Sequence, residues 1–180
     1  PDWCILDLDP KEAPFKHVVT IAKHIHGMCE DIGLPNFIKT TGSSGLHVLI
    51  PLGAQYPYEQ CRNLAHLIAT VVSAELPDIA TIVRSPAKRE GKVYVDYGQN
   101  GHGRLLVSPF CVRPFPGAPM SMPMRWSEVT GRLKSSQHYT IKNAIRRMKT
   151  AKTDPMSDVL KLKPDLMDAL ARLREHVQSA

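Results

Sequence analysis

Residues 3–9, Trp-Cys-Ile-Leu-Asp-Leu-Asp, are apolar on both faces and too short for a surface helix, which predicts a buried central strand ending in acid. Asp9-Pro10 breaks it. From about Pro14 to Ile32, Phe15, Val18, Val19, Ala22, Ile25, Cys29 and Ile32 recur at helical spacing, and Gly33 stands where a helix cap is expected. A short strand over 37–40 leads through the polar segment 41–45 into a second strand over 46–51. A second helix is predicted from about Tyr58 to Glu75 on the stripe Cys61, Leu64, Ala65, Ile68 and Val72, stopped by Leu76-Pro77. Residues 84–92 read as a basic loop, 92–97 as a strand and 98–103 as a glycine-rich turn. Strands near 105–107 and 110–114, a helical turn over 126–129 and helices over 140–149 and 164–177 complete the pattern. Strands and helices alternate irregularly and the strands are short. That predicts an α+β domain with a mainly antiparallel or mixed sheet, in one unit spanning residues 1–180.

Composition changes this picture little. The 180 residues are 43% hydrophobic and 22% charged, enough for one core without staples. No apolar run approaches the ~20 residues that span a bilayer, so a membrane role is not expected and cytoplasm is the expected location. Cys4, Cys29, Cys61 and Cys111 form no CxxC pair and read as buried small hydrophobes. His24 and His26 sit two apart on a helix and point in different directions, which argues against a shared zinc. The net charge of +6 favours a polyanionic partner, although the placement of charge matters more than its sum.

Asp7 and Asp9 are strand residues i and i+2, so they share a face about 6.5–7 Å apart along the chain. Two carboxylates at the end of an apolar strand repel each other and lose solvation, and a divalent metal relieves both problems. They can equally mark the strand's exit into solvent. Asp96 ends a second strand, Val-Tyr-Val-Asp, and joins the pair if the two strands are neighbours; a turn-forming Asp is the alternative. Three such acids suit Mg²⁺ or Mn²⁺, and a two-metal site would activate an attacking oxygen and steady a leaving group.

Thr41-Gly42-Ser43-Ser44-Gly45 joins two strands. Its small residues allow backbone N–H groups to face an anion, with hydroxyls adding donors, or it is a plain hairpin turn. His47 alternates away from Leu46, Val48 and Ile50; a histidine there is ordinarily satisfied by a backbone carbonyl. Arg84, Lys88, Arg89 and Lys92 precede Asp96, where a phosphate contact and plain solvation both remain open. Lys142, Arg146 and Lys149 form a basic helix face opposite Ile141, Ile145 and Met148.

Taken in order, Asp7–Pro10, Lys39–Val48, Lys92–Asn100, Val112–Pro123 with Trp126, and the closing helices resemble the polymerase domain of bacterial DNA ligase D, a member of the archaeo-eukaryotic primase superfamily. The resemblance implies a metal triad at Asp7, Asp9 and Asp96. It implies contacts to the incoming triphosphate from Thr41, Gly42, Gly45 and His47, with Arg89, Gln99 and Arg113 in supporting positions. Combined with the residue reading, the nucleotide-binding set is Thr41, Gly42, Ser43, Ser44, Gly45, His47, Arg89, Gln99 and Arg113, and the DNA-binding set is Arg84, Lys88 and Lys92. Implied substrates are nucleoside triphosphates (NTP or dNTP, ribonucleotides preferred) and gapped duplexes or DNA ends. Two Mn²⁺ or Mg²⁺ ions are the implied cofactors, and Ku and a DNA ligase the implied partners in non-homologous end joining.

The sequence departs from the pattern at Ser44, where many relatives carry lysine, and at Thr41, where they carry serine. Relatives also have a substantial stretch before the first acidic strand, with a 5′-phosphate pocket and stacking aromatics. A fragment, a processed form or a minimal version is therefore expected, with the apolar opening strand exposed unless something covers it. Two other readings stand beside the polymerase. One is a metal-dependent nuclease or phosphodiesterase that activates water with the same acids; the other is a DNA-end or nucleotide-binding module without activity.

Overall fold

The computed structural model describes residues 1–179. Ten regular elements follow in the order β1 (Trp3–Asp9), α1 (Phe15–Asp31), β2 (Phe37–Thr40), β3 (Leu46–Pro51), α2 (Tyr58–Glu75), β4 (Ala80–Thr81), β5 (Val93–Asp96), β6 (Pro123–Met124), α3 (Ala144–Ala151) and α4 (Leu166–Ser179). The strands form one sheet in the order β4-β5-β1-β3-β2-β6, antiparallel throughout except for the parallel β4–β5 pair. This is the mainly antiparallel α+β arrangement that the short, irregularly spaced strands predict.

Strand alternation divides the sheet into two unlike faces. Cys4, Leu6 and Leu8 of β1, Leu46, Val48 and Ile50 of β3, and Val93 and Val95 of β5 join one core with the buried stripes of α1 and α2. The opposite face carries a smaller apolar cluster of Ile5, Leu49, Met156 and Val159, and beyond it the polar residues described below. Helix α1 ends as its sequence predicts: Gly33 has φ +74°, the Gly33 N–H donates to the Glu30 carbonyl and the Leu34 N–H to the Cys29 carbonyl, a Schellman closure.

The opening strand is not left uncovered, because β1 lies between β3 and β5 and is hydrogen-bonded on both sides. The strands expected at 105–107 and 110–114 do not form. β1, β3 and β5 already have neighbours on both sides, so 105–107 crosses the polar face instead, with Leu106 packed on the Ile5–Leu49 cluster and Leu105 93% exposed. Residues 110–113 make only local pairings with 119–121, since Pro109, Pro114 and Pro116 lack donors and Phe110 turns at φ +64°. The basic segment contains a 3-10 turn at Pro86–Lys88, and the expected turn near 126 is a 3-10 turn at Trp126–Glu128. Helix α3 starts four residues later than expected and buries Ala144. Of the stripe read as apolar, Met148 packs on the core while Ile141 and Ile145 are exposed, at 51% and 69%. Cys4, Cys29 and Cys61 are buried as expected, but Cys111 is exposed on the Pro-rich segment. His24 and His26 diverge: one pairs with Glu75, the other with Asn36 and the Trp126 ring. Among the described residues no helix is long and apolar enough to cross a membrane.

Candidate active site

On the sheet face turned away from α1 and α2, a polar row runs across four strands. Lys39 of β2 is in register with His47 of β3, His47 with Asp7 of β1, and Asp7 with Asp96 of β5. Asp9 shares the face of Asp7 and stands opposite Tyr94. Asp96, more than eighty residues away in sequence, is thus brought beside Asp7 and Asp9 by the β1–β5 pairing.

Each member of the row is held by a specific partner. Lys39 is fully buried, and its Nζ lies 2.8 Å from His47 Nδ1 and donates to Ser121 Oγ at 2.9 Å. Burial brings its pKa down to about 7, against the pull of the Asp7 charge. Because the Lys39 amine donates to Nδ1, the His47 hydrogen sits on Nε2, which faces Asp7 Oδ1 at 3.3 Å. Burial also lowers the His47 pKa, with Asp7 opposing, so the imidazole is a neutral donor. The backbone carbonyl expected to satisfy this histidine is not its partner; a lysine and a carboxylate are.

Asp96 receives the Tyr94 hydroxyl (3.1 Å) and the Gly98 N–H (2.7 Å) on Oδ1, and the Gln99 amide (3.2 Å) on Oδ2. Burial, with Asp96 adding to it, pushes the Tyr94 phenol up to about 12, so it stays a donor. Asp9 accepts from Arg89 Nη1 at 2.8 Å. Arg89 is only 7% exposed; it also donates to the Val83 and Arg84 carbonyls and lies 4.4 Å over the Tyr94 ring. Arg89, for which phosphate contact and solvation were both open, is neither solvated nor free: it is paired with Asp9.

The 41–45 loop is built differently from expectation. Most of its backbone N–H groups are used inside the loop and do not face outward. Thr41 Oγ1 accepts from the Ser43 N–H (3.1 Å) and the Gly45 N–H (3.2 Å), which fills both its lone pairs. Its own hydrogen therefore goes to Ser136 Oγ, 3.0 Å away, and Ser136 in turn accepts the Gly42 N–H at 3.1 Å. The Thr41 N–H closes the loop on the Gly45 carbonyl. Among the described residues this leaves the Ser44 N–H and the hydroxyls of Ser43 and Ser44 as the donors open to a ligand. Both glycines are required: a Cβ at Gly45 would lie 1.9 Å from the Leu8 carbonyl oxygen, and one at Gly42, where φ is +67°, 2.8 Å from the Met120 backbone.

A cleft of about 590 Å³ opens over the row. Asp7, Asp9, His47 and Gln99 lie along it with Thr41, Ser43, Ser44, Gly45 and Arg113, and 105–107 forms its far wall. Arg113 donates to the Thr41 carbonyl at 3.1 Å, tying the Pro-rich segment to the loop. Of the remaining sequence-derived residues, Arg84 and Asp96 line an adjoining cleft, Arg89 lies behind Asp9, and Lys88 and Lys92 line neither cleft. Lys39, Ser121 and Ser136 were not anticipated. Lys39 had one signal, since period two places it on the face of its strand that meets His47; the serines come from distant loops and had none.

The donor chemistry fits a hard divalent cation, with three carboxylates on one face of two adjacent strands. As the side chains stand, no group of three His, Cys, Asp or Glu among the described residues is gathered tightly enough to share an ion. Two of the acids are turned to donors of their own, Asp9 to Arg89 and Asp96 to the Tyr94–Gln99 turn.

Comparison with known proteins adds an independent line. The chain is 29% identical over 174 residues to the multifunctional non-homologous end joining protein LigD of Pseudomonas aeruginosa, covering 96% of this chain and 21% of that protein. It is 28% identical over 151 residues to the bifunctional non-homologous end joining protein LigD of Bacillus subtilis, covering 83% of this chain and 24% of that one. The chain thus spans about a quarter or less of these relatives. Its fold superimposes on the polymerase domain of Mycobacterium tuberculosis ligase D, solved in complex with DNA, with a TM-score of 0.81 and 25% identity over 91% of this chain and 56% of that one. The family model of the LigD primase-polymerase domain matches residues 1–156, and the chain belongs to that family.

Proposed function

We propose that this chain is the nucleotidyl-transfer core of a DNA repair polymerase, adding nucleotides to DNA 3′ ends during non-homologous end joining. The observation that carries the reading is the convergence of Asp7, Asp9 and Asp96 on one sheet face, beside a loop with serine donors and an arginine. Family membership and the relatives' naming for end joining support it.

In this reading Asp7, Asp9 and Asp96 would hold Mn²⁺ or Mg²⁺. When bound, such ions lower the pKa of an attacking 3′-hydroxyl and offset charge on departing phosphates. The protein's own part is positioning. The neutral His47 Nε2–H faces Asp7 and orients its carboxylate, and Lys39 holds that tautomer. Tyr94, Gly98 and Gln99 hold Asp96. The Ser44 N–H, the Ser43 and Ser44 hydroxyls and the remaining donors of Arg113 receive triphosphate oxygens, in a loop already made rigid by Thr41 and Ser136. A cleft of about 590 Å³ is in the range that takes a nucleotide. Ku and a DNA ligase are the partners this role requires at a break.

The test is extension of a labelled primer in a gapped duplex with a 5′-phosphate, offering each ribo- and deoxynucleotide with Mn²⁺ or Mg²⁺. Elongation that needs both triphosphate and metal supports the reading. Shortening of the primer by water would make the site a nuclease instead.

A further inference from the structure

Next to the row, on its β5–β4 side, a second cleft of about 120 Å³ is walled by Arg62 of α2, Arg84, Arg104, Tyr97, Gln99 and Asp96. Its three guanidinium groups come from three separate segments. Among the described residues none of them takes part in an ion pair or a side-chain hydrogen bond. The one carboxylate in the wall, Asp96, already accepts from Tyr94, Gly98 and Gln99. Three guanidinium groups against this one carboxylate leave the wall net positive, and a net positive wall attracts an anion.

The cleft is also pre-ordered. Tyr97 stacks on His66 with ring centroids 4.2 Å apart, and the Arg62 guanidinium lies 5.9 Å from its centre. The turn that bears Gln99 and Arg104 is fastened to β1 by Asn100, whose amide donates to the Ile5 carbonyl and accepts the Ile5 N–H, each at 2.7 Å, as a neighbouring strand would.

Size and place select the ligand. A volume of about 120 Å³ is well below the roughly 300 Å³ at which small-molecule pockets begin, so the cleft takes a phosphate-sized group and not a whole nucleotide. In the strand order the serine loop lies on the β3–β2 side of the acids and this cleft on the β5–β4 side. In-line displacement places attacking and leaving oxygens on opposite sides of the transferred phosphorus. With the leaving phosphates over the serine loop, the attacking strand arrives over β5. We infer that Arg62, Arg84 and Arg104 bind the last phosphodiester of the strand being extended and so deliver its 3′-hydroxyl to the acids. The inference rests on the polymerase reading for which strand is bound.

The measurement is equilibrium anisotropy of a labelled primer–template, without nucleotide, across a salt series, for the wild type and Arg62→Ala/Arg104→Ala. The double variant is expected to bind roughly tenfold more weakly, with a salt slope shallower by about one to two, while a fluorescent nucleoside triphosphate binds within twofold of wild type. A primer whose terminal phosphodiester is a neutral methylphosphonate is expected to weaken wild-type binding and leave the variant unaffected. Arg62→Lys/Arg104→Lys recovers most of the slope, which separates lost charge from lost fold. An unchanged slope overturns the inference, as does a loss confined to the triphosphate, which would hand the cleft to the nucleotide. Because nothing here depends on turnover, a protein that failed to elongate DNA would sink the polymerase reading without deciding this result.

Discussion

The two faces of the sheet are made of the same strands and obey different physics. Under α1 and α2, Cys4, Leu6, Leu8, Val48, Ile50 and Val95 are held by removal of area from water, which is non-directional and sums over the whole face. On the other side, Asp7, His47 and Lys39 occupy the intervening positions, and their polar atoms depend on specific partners at set distances. The first face supplies stability. The second gives some of it up, most plainly at Lys39, an amine with no solvent exposure in a strand where an apolar side chain would fit.

Substitutions on the two faces are expected to separate these roles. The largest effect on stability belongs to the covered face: Leu8→Ala loses roughly 2–5 kcal/mol in urea unfolding, and the remaining folded fraction keeps its nucleotide affinity. Lys39→Met moves the other way, gaining roughly 1–3 kcal/mol at pH 6 while weakening nucleotide addition, since His47 loses the donor that sets its tautomer. The pH dependence follows from the lowered pKa. Between about 7 and the ordinary lysine value, the unfolded chain holds a proton on Lys39 that the folded protein does not, so wild-type stability rises with pH across that window. The advantage of Lys39→Met is therefore full below about pH 7 and fades as pH climbs towards 10; parallel unfolding curves at pH 6, 8 and 9.5 read it directly. A difference constant with pH would mean that the buried amine carries no charge to lose.

These contrasts mark how far the sequence could be read. Period two puts Asp7 and Asp9 on one face of 3–9 and sets His47 apart from Leu46, Val48 and Ile50, but 3–9 is apolar on both faces, so only the packing of α1 and α2 shows that these polar residues lie opposite the main core. That Asp96 lies beside Asp7 is a long-range pairing, which a local pattern leaves open. The apolar run 105–107 looked like another strand, but a strand needs a free edge and none was nearby. In Phe37–Thr40, nothing local marks Lys39 as a buried amine. Its burial depends on Ser121, eighty-two residues away. The 41–45 loop was recognised by composition, while its hydrogen bonding was not, since that is decided by Ser136 from a distant loop.

Two smaller effects sharpen the account of that loop. Ser136→Ala unpairs the Gly42 N–H and frees the Thr41 hydroxyl, losing about 1 kcal/mol; steady-state kinetics are expected to show a several-fold higher KM for nucleotide with kcat nearly unchanged. Ser44→Lys restores a charge beside the cleft, and nucleotide titrations are expected to show binding two- to fivefold tighter at low salt, the gain shrinking at high salt.

The most direct test of the claim that the polar face performs metal-dependent nucleotide addition is elongation by Asp7→Ala/Asp9→Ala beside the wild type. The account predicts elongation by the wild type and none by the variant, with the variant still folded but less stable, because Arg89 and His47 lose their carboxylate partners. Wild-type elongation that persists in the double variant would contradict it.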